Sequence, residues 1–179
     1  MALINTVPQN QAAGTIKEGY EMVMKHLGVI PKPLEMLSVS PTLFEIQLQR
    51  SRYFAGHPNL SFPLLVSIRY LVSRNLGFGF CVDFNKHILE KQGVEDSDFQ
   101  KMEEDPSQAP LEEKECAMLA FVVKAVQAPS SVTEEDVNNL REFGWEERDM
   151  MDALAQGVGM MDLSIMMQVF QIDQNCIME

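Results

Sequence analysis

Apolar residues recur along this chain at three- and four-residue spacing, nearly from end to end, a period that predicts helices rather than strands. Ile16, Tyr20, Val23, Met24 and Leu27 share one face behind Thr15 and Glu18, which are spaced as a capping box. Gly28, Pro31 and Pro33 stop that helix. A short helix over 34–39 follows. Ser40-Pro41 opens another, since serine caps well and proline suits a first turn, and it ends before Gly56-His57-Pro58. Ser61 is placed to cap a helix over 62–76 in which Leu64, Leu65, Ile68, Leu71 and Val72 leave little polar face, so this helix belongs at the centre of the fold. Gly77-Phe78-Gly79 breaks it, and a helix over 80–92 closes on Gly93.

The second half reads the same way. An acidic turn over 96–102 and a loop over 104–110 precede a helix over 111–126, with Leu111, Met118, Leu119, Val122 and Val126 inward. Thr133 caps a helix over 134–143 that Gly144 ends. The last helix starts near Glu146 and sets Met150, Leu154, Val158, Met161 and Ile165 at helical spacing; Gly157 and Gly159 within it allow a close helix approach. No stretch alternates as a half-buried strand does, so the fold class is all-α. No linker rich in Gly, Ser or Pro divides the chain, and 1–179 is expected to be a single domain.

Composition narrows the partners. A formal net charge of −12, spread along the chain with no basic patch, argues against nucleic acid or an anionic membrane surface. No apolar run is long enough to span a bilayer, and no signal peptide is evident. The three cysteines, Cys81, Cys116 and Cys176, are too few and too scattered for a disulfide framework and fit a reducing, cytoplasmic setting. Met150, Met151, Met160, Met161, Met166 and Met167 have no His or Cys among them and read as packing rather than as a copper site. His26, His57 and His87 are isolated from one another, so no metal is expected, and nothing in the chain calls for a cofactor.

One stretch carries chemistry. Leu60-Ser61-Phe62-Pro63 through Leu71-Val72-Ser73, then Asn75-Leu76-Gly77-Phe78-Gly79-Phe80-Cys81-Val82, resembles the core of AhpD-like proteins of the alkylhydroperoxidase and carboxymuconolactone decarboxylase family. The stretches 20–48, 111–124 and 132–144 resemble the peroxidase-related branch of that family. The resemblance implies an all-helical AhpD-like domain assembled as a trimer or hexamer. It also implies a thiol peroxidase site: a glutamate on one helix, then Cys-x-x-Cys, then a histidine four residues after the second cysteine. Here Cys81 takes the place of the second cysteine, the first falls on Phe78, the intervening position that some members fill with histidine is Phe80, the late histidine is Asn85 and the glutamate is Val66.

Loss of a general acid–base removes about two to four orders of magnitude in rate, so ordinary dithiol turnover is not expected. Two readings of Cys81 follow. As a catalytic thiol it profits from the exposed N–H groups of a helix start and takes a small hydroperoxide. As a core residue it packs among Phe78, Phe80 and Phe84, and the chain is then a non-catalytic scaffold that binds an apolar ligand or assembles with copies of itself. No Lys, Arg or His lies one helical turn from Cys81; Lys86 and His87 are five and six residues on, off its face. Asn85 does lie one turn away, either as a ligand-orienting amide or as a helix-surface or interface residue. A pocket lined by Val66, Tyr70, Phe78 and Asn85 would serve the binding reading. A decarboxylase-like lyase is disfavoured, because no Arg or His matches a proton-transfer position. Cys116 and Cys176 are the candidate resolving thiols.

Overall fold

In the computed structural model, residues 2–173 are described, and among them every regular element is helical. They form two compact units: 2–57 together with 165–173, and Pro58–Ser164. Cys176 lies outside the described residues.

The first unit holds α1 (Gly14–Leu27), α2 (Lys32–Leu37) and α3 (Pro41–Ala55). The side chain of Thr15 does not cap α1. The helix begins a residue earlier at Gly14, whose φ of 52° lets it follow the extended Ala13, so Thr15 already lies inside the first turn. Gly28 ends α1 as expected, left-handed at φ 72° with its N–H on the Met24 carbonyl. The inward face is Ile16, Gly19 and Tyr20, while Leu27 is exposed. Gly19 lets α3 come close: a Cβ there would strike the Phe44 ring and approach Leu48 Cδ1 to 2.7 Å. Tyr20 stands edge-on to Phe44, centroids 5.5 Å apart, and its hydroxyl donates to the Val7 carbonyl at 3.0 Å.

The second unit holds α4 (Phe62–Asn75), α5 (Gly79–Lys91), α6 (Asp96–Glu104), α7 (Glu113–Gln127), α8 (Glu134–Glu142) and, through Ser164, α9 (Glu147–Val169). Ser61 caps α4, its hydroxyl accepting from Leu64 N–H at 3.2 Å. Removing it in Ser61→Ala is expected to cost about 1 kcal/mol, read from the shift in urea midpoint. As its sequence predicts, α4 is buried on nearly every side, packing against α5 and α7.

Two expectations fail here for physical reasons. The acidic segment is a full helix, α6, and not a turn. Glu95 caps it and Asp98 returns the bond to the cap, a capping box built from carboxylates, while Phe99 and Met102 bury one face. The inward face of α9 also departs in part from the spaced set: Met150 is buried at 6% exposure, and Leu154 and Met161 are half-buried. Val158 and Ile165 are 48% and 58% exposed, and Ala153, Met160, Leu163 and Met167 are buried instead. Small residues decide this. A Cβ on Gly157 would lie 2.7 Å from Val122 Cγ1 and 3.2 Å from Val126 Cγ2, so the glycine face is the one that meets α7. Among the described residues no helix is long and apolar enough to cross a membrane.

Candidate functional site

Cys81 is the third residue of α5, which starts directly after the Gly77-Phe78 turn. Gly77 adopts φ 65°, and the Phe78 N–H reaches back to the Ser73 carbonyl at 2.9 Å. This tight reversal sets the start of α5 against the end of α4. Cys81 is 6% exposed, and neither it nor Cys116 is in a disulfide. Phe80 stacks on Phe84 at 5.8 Å, supplying the apolar side of the site.

Asn85 lies one turn along α5 and is 2% exposed, so it is not a surface residue. Its Nδ2 donates to the Cys81 carbonyl at 2.7 Å, and its Oδ1 accepts from Arg69 Nε at 2.9 Å. Arg69 comes from α4. It reaches the thiol's surroundings across the helix pair, is only partly exposed, and interacts electrostatically with Cys81. Burial lowers its pKa from the ordinary 12.5 to about 10, and the charge of a Cys81 thiolate acts in the opposite sense; the guanidinium is still protonated at neutral pH. The three residues thus form a chain from α4 to α5: guanidinium, amide, cysteine.

The other residues expected at the site, Tyr70 among them as pocket lining, are part of the core. Val66 and Phe78 are fully buried, Tyr70 is 2% exposed and Phe80 4%. Tyr70 donates to Glu103, which also binds Arg74 at 2.9 Å, so its hydroxyl is committed there. Burial, first of all, and that bond raise the Tyr70 pKa, keeping the phenol neutral. Cys116 lies in a different place, on the wall of a cleft of about 670 Å³ lined also by Ala109, Phe121, Lys124 and Asp136. Its thiol donates to the Ala109 carbonyl at 3.4 Å, and burial pushes its pKa up, which favours the neutral thiol.

Sequence spacing brought out Cys81 and Asn85 but missed Arg69. The signal was present: Arg69 is a charge in the middle of an otherwise apolar helix, three residues after Val66 and so on the same face. A cation at such a position needs a polar neighbour on whatever element packs there. Among the described residues no group of three or more His, Cys, Asp or Glu side chains is arranged to hold a metal.

No family model matches the chain, and no curated protein matches it. Solved structures do. An uncharacterized peroxidase-related protein from Silicibacter sp. TM1040 is 17% identical, with a TM-score of 0.79 over 97% of this chain and 92% of that one. An uncharacterized peroxidase-related protein from Ralstonia eutropha JMP134, described as an alkylhydroperoxidase AhpD core, is 19% identical, with a TM-score of 0.81 over the same shares. The chain therefore has the AhpD-like helical fold that its sequence resembles.

Proposed function

We propose that this chain is a single-cysteine peroxide-reducing protein on the AhpD-like fold, with Cys81 as the reacting group. The observation that carries the reading is the hydrogen-bonded chain that holds the Arg69 guanidinium on Asn85 at 2.9 Å and Asn85 on the Cys81 carbonyl at 2.7 Å, bringing a cation from the neighbouring helix to the cysteine's surroundings. A fixed cation beside a thiol favours the thiolate, and the N–H groups at the start of α5 act in the same direction. This arrangement substitutes permanent positive charge for the proton relay of the intact motif. It stabilises the nucleophile without moving a proton.

The chemistry is then simple. The Cys81 thiolate attacks the outer oxygen of a hydroperoxide, a sulfur–oxygen bond forms as the oxygen–oxygen bond breaks, and the electron pair leaves on the alkoxide, which takes a proton from water. The cysteine becomes a sulfenic acid, oxidised by two electrons, and the peroxide becomes an alcohol. With Phe78 at the partner position, the neighbouring thiol that resolves the sulfenic acid in the intact motif is replaced by a ring. An external thiol condenses with it, releasing water, and a second thiol frees Cys81 by exchange.

The test is intact-mass analysis after graded tert-butyl hydroperoxide, with and without a sulfenic-acid trap, on wild type and Cys81→Ser. Rapid trapping that vanishes in the variant is the expected result. Cys116, with its raised pKa, should react slowly in both proteins and serves as the internal standard. Equal modification of Cys81 and Cys116 would overturn the proposal. The second reading, an assembly module, is favoured by the apolar side chains that α9 leaves exposed at Met151 and Val158, 67% and 48% accessible.

A further inference from the structure

Arg69 has a feature that peroxide reduction alone does not require. Among the described residues it has no carboxylate partner, in a chain with 26 acidic residues against 14 basic ones. Arg74, Arg141 and Arg148 each pair with an acid, at 2.9, 2.7 and 3.7 Å, and Arg52, whose described bond is to Met22 Sδ, is exposed to water where Arg69 is only partly so. Arg69 makes its described hydrogen bond through Nε alone, to a neutral amide. Among the described residues no further hydrogen bond engages either Nη group, which together carry four N–H donors. A cation drawn this far out of water is costly to keep without a counter-charge.

The Cys81 thiolate supplies that counter-charge for only part of a catalytic cycle. When the sulfur is oxidised to the sulfenic acid it becomes neutral, and the guanidinium again faces no anion. A ligand that brings its own negative charge satisfies Arg69 in both states. Asn85 holds Nε, and the two Nη groups remain as a paired donor edge. A planar fork of this kind matches a carboxylate with two parallel hydrogen bonds. Arg69 is also partly exposed where Cys81 and Asn85 are not, so it is the member of the chain that an incoming molecule meets.

We propose that Arg69 is an oxyanion-binding subsite next to Cys81, and that the preferred substrates are organic hydroperoxides carrying a carboxylate. This rests on the reading of Cys81 as a peroxide-reactive thiol. It adds the substrate class, and it assigns a binding role to a residue outside the family's motif positions. The strongly negative net charge of the chain repels an anion over most of the surface, so binding at Arg69 depends on direct contact with the guanidinium rather than on a general attraction.

The experiment compares a tertiary alkyl hydroperoxide bearing a carboxylate with its methyl ester, the pair differing in charge alone. The rate of Cys81 oxidation is followed by trapping and intact mass. Wild type is expected to react about tenfold or more faster with the acid than with the ester, the scale of one charge-assisted hydrogen bond. The preference should vanish in Arg69→Met, survive in part in Arg69→Lys and shrink with added salt. Equal rates for acid and ester in wild type overturn the inference and leave the thiol reading intact, and that comparison needs no variant to fold. If no peroxide oxidises Cys81, the thiol reading fails and the subsite is judged separately. In that case Cys81→Ser is titrated calorimetrically with the reduced alcohol of each compound. Binding of the carboxylate and not of the ester, lost on adding Arg69→Met, upholds the subsite; no binding overturns it.

Discussion

Phe78→Ala is expected to destabilise the protein by about 3–5 kcal/mol, the range for removing a buried aromatic ring from a well-packed core. Phe78 is fully buried at the cap position of α5, where the fold's intact motif places a cysteine. A thiol is much smaller than a phenyl ring, so the exchange reshaped the packing around it, and Val66, also fully buried, belongs to the same apolar unit. Phe78 is therefore a core residue at the very start of the helix that carries Cys81. Phe78→Leu should recover most of the stability, since it keeps an apolar side chain of intermediate volume. Chemical denaturation of wild type and both variants checks this, with the midpoint falling and the slope unchanged. A shift under about 1 kcal/mol for the alanine variant would mean that the site relaxes around the cavity. It would then be a plastic pocket of the kind that the binding reading requires.

The same residues show what the sequence made legible. The helix α4 announces itself, because Ser61, Pro63 and an unbroken apolar run each demand it and all agree. The relation between Cys81 and Asn85 is equally plain, since four residues on a helix is a contact. Arg69 was overlooked because the one-turn rule was applied along α5 alone, whereas its contact with Asn85 is made between helices. Spacing within an element says nothing about which residue of the next element arrives opposite. That depended on the Gly77 turn and on the register in which α5 packs against α4.

The misplaced face of α9 has a related origin. Large apolar residues mark two faces of that helix, and periodicity has no means to rank them. The contact is settled at Gly157, where the sequence does indicate a close approach, but a glycine carries little weight in a hydrophobic pattern and so does not shift the face read from it. In α6 the error was chemical: Glu95 is not a favoured cap, and its reciprocal bond with Asp98 gives no signal in a search for Ser or Thr.

Small residues at contacts lead to the second large effect. Gly19→Ala should destabilise the first unit by about 1–3 kcal/mol or more, the cost of forcing a methyl group into a packed interior. Helix propensity alone predicts the reverse, since alanine is better than glycine inside a helix by about 1 kcal/mol. The geometry decides between them. The added Cβ strikes the edge of the Phe44 ring and lies 2.7 Å from Leu48 Cδ1. Neither side chain has room to retreat: Phe44 is fully buried, Leu48 is 4% exposed, and Tyr20 holds the ring edge-on while its own hydroxyl is bonded to Val7. Relief requires α1 and α3 to move apart, which weakens that bond as well. Gly28→Ala is a useful companion, because nothing lies within 4 Å of its Cβ and its cost comes from φ 72° alone. Thermal and urea unfolding of both variants separate overpacking from backbone strain. A Gly19→Ala protein as stable as wild type would show that α1 and α3 slide past each other at little cost, and that the interhelical contact at Gly19 does not fix their spacing.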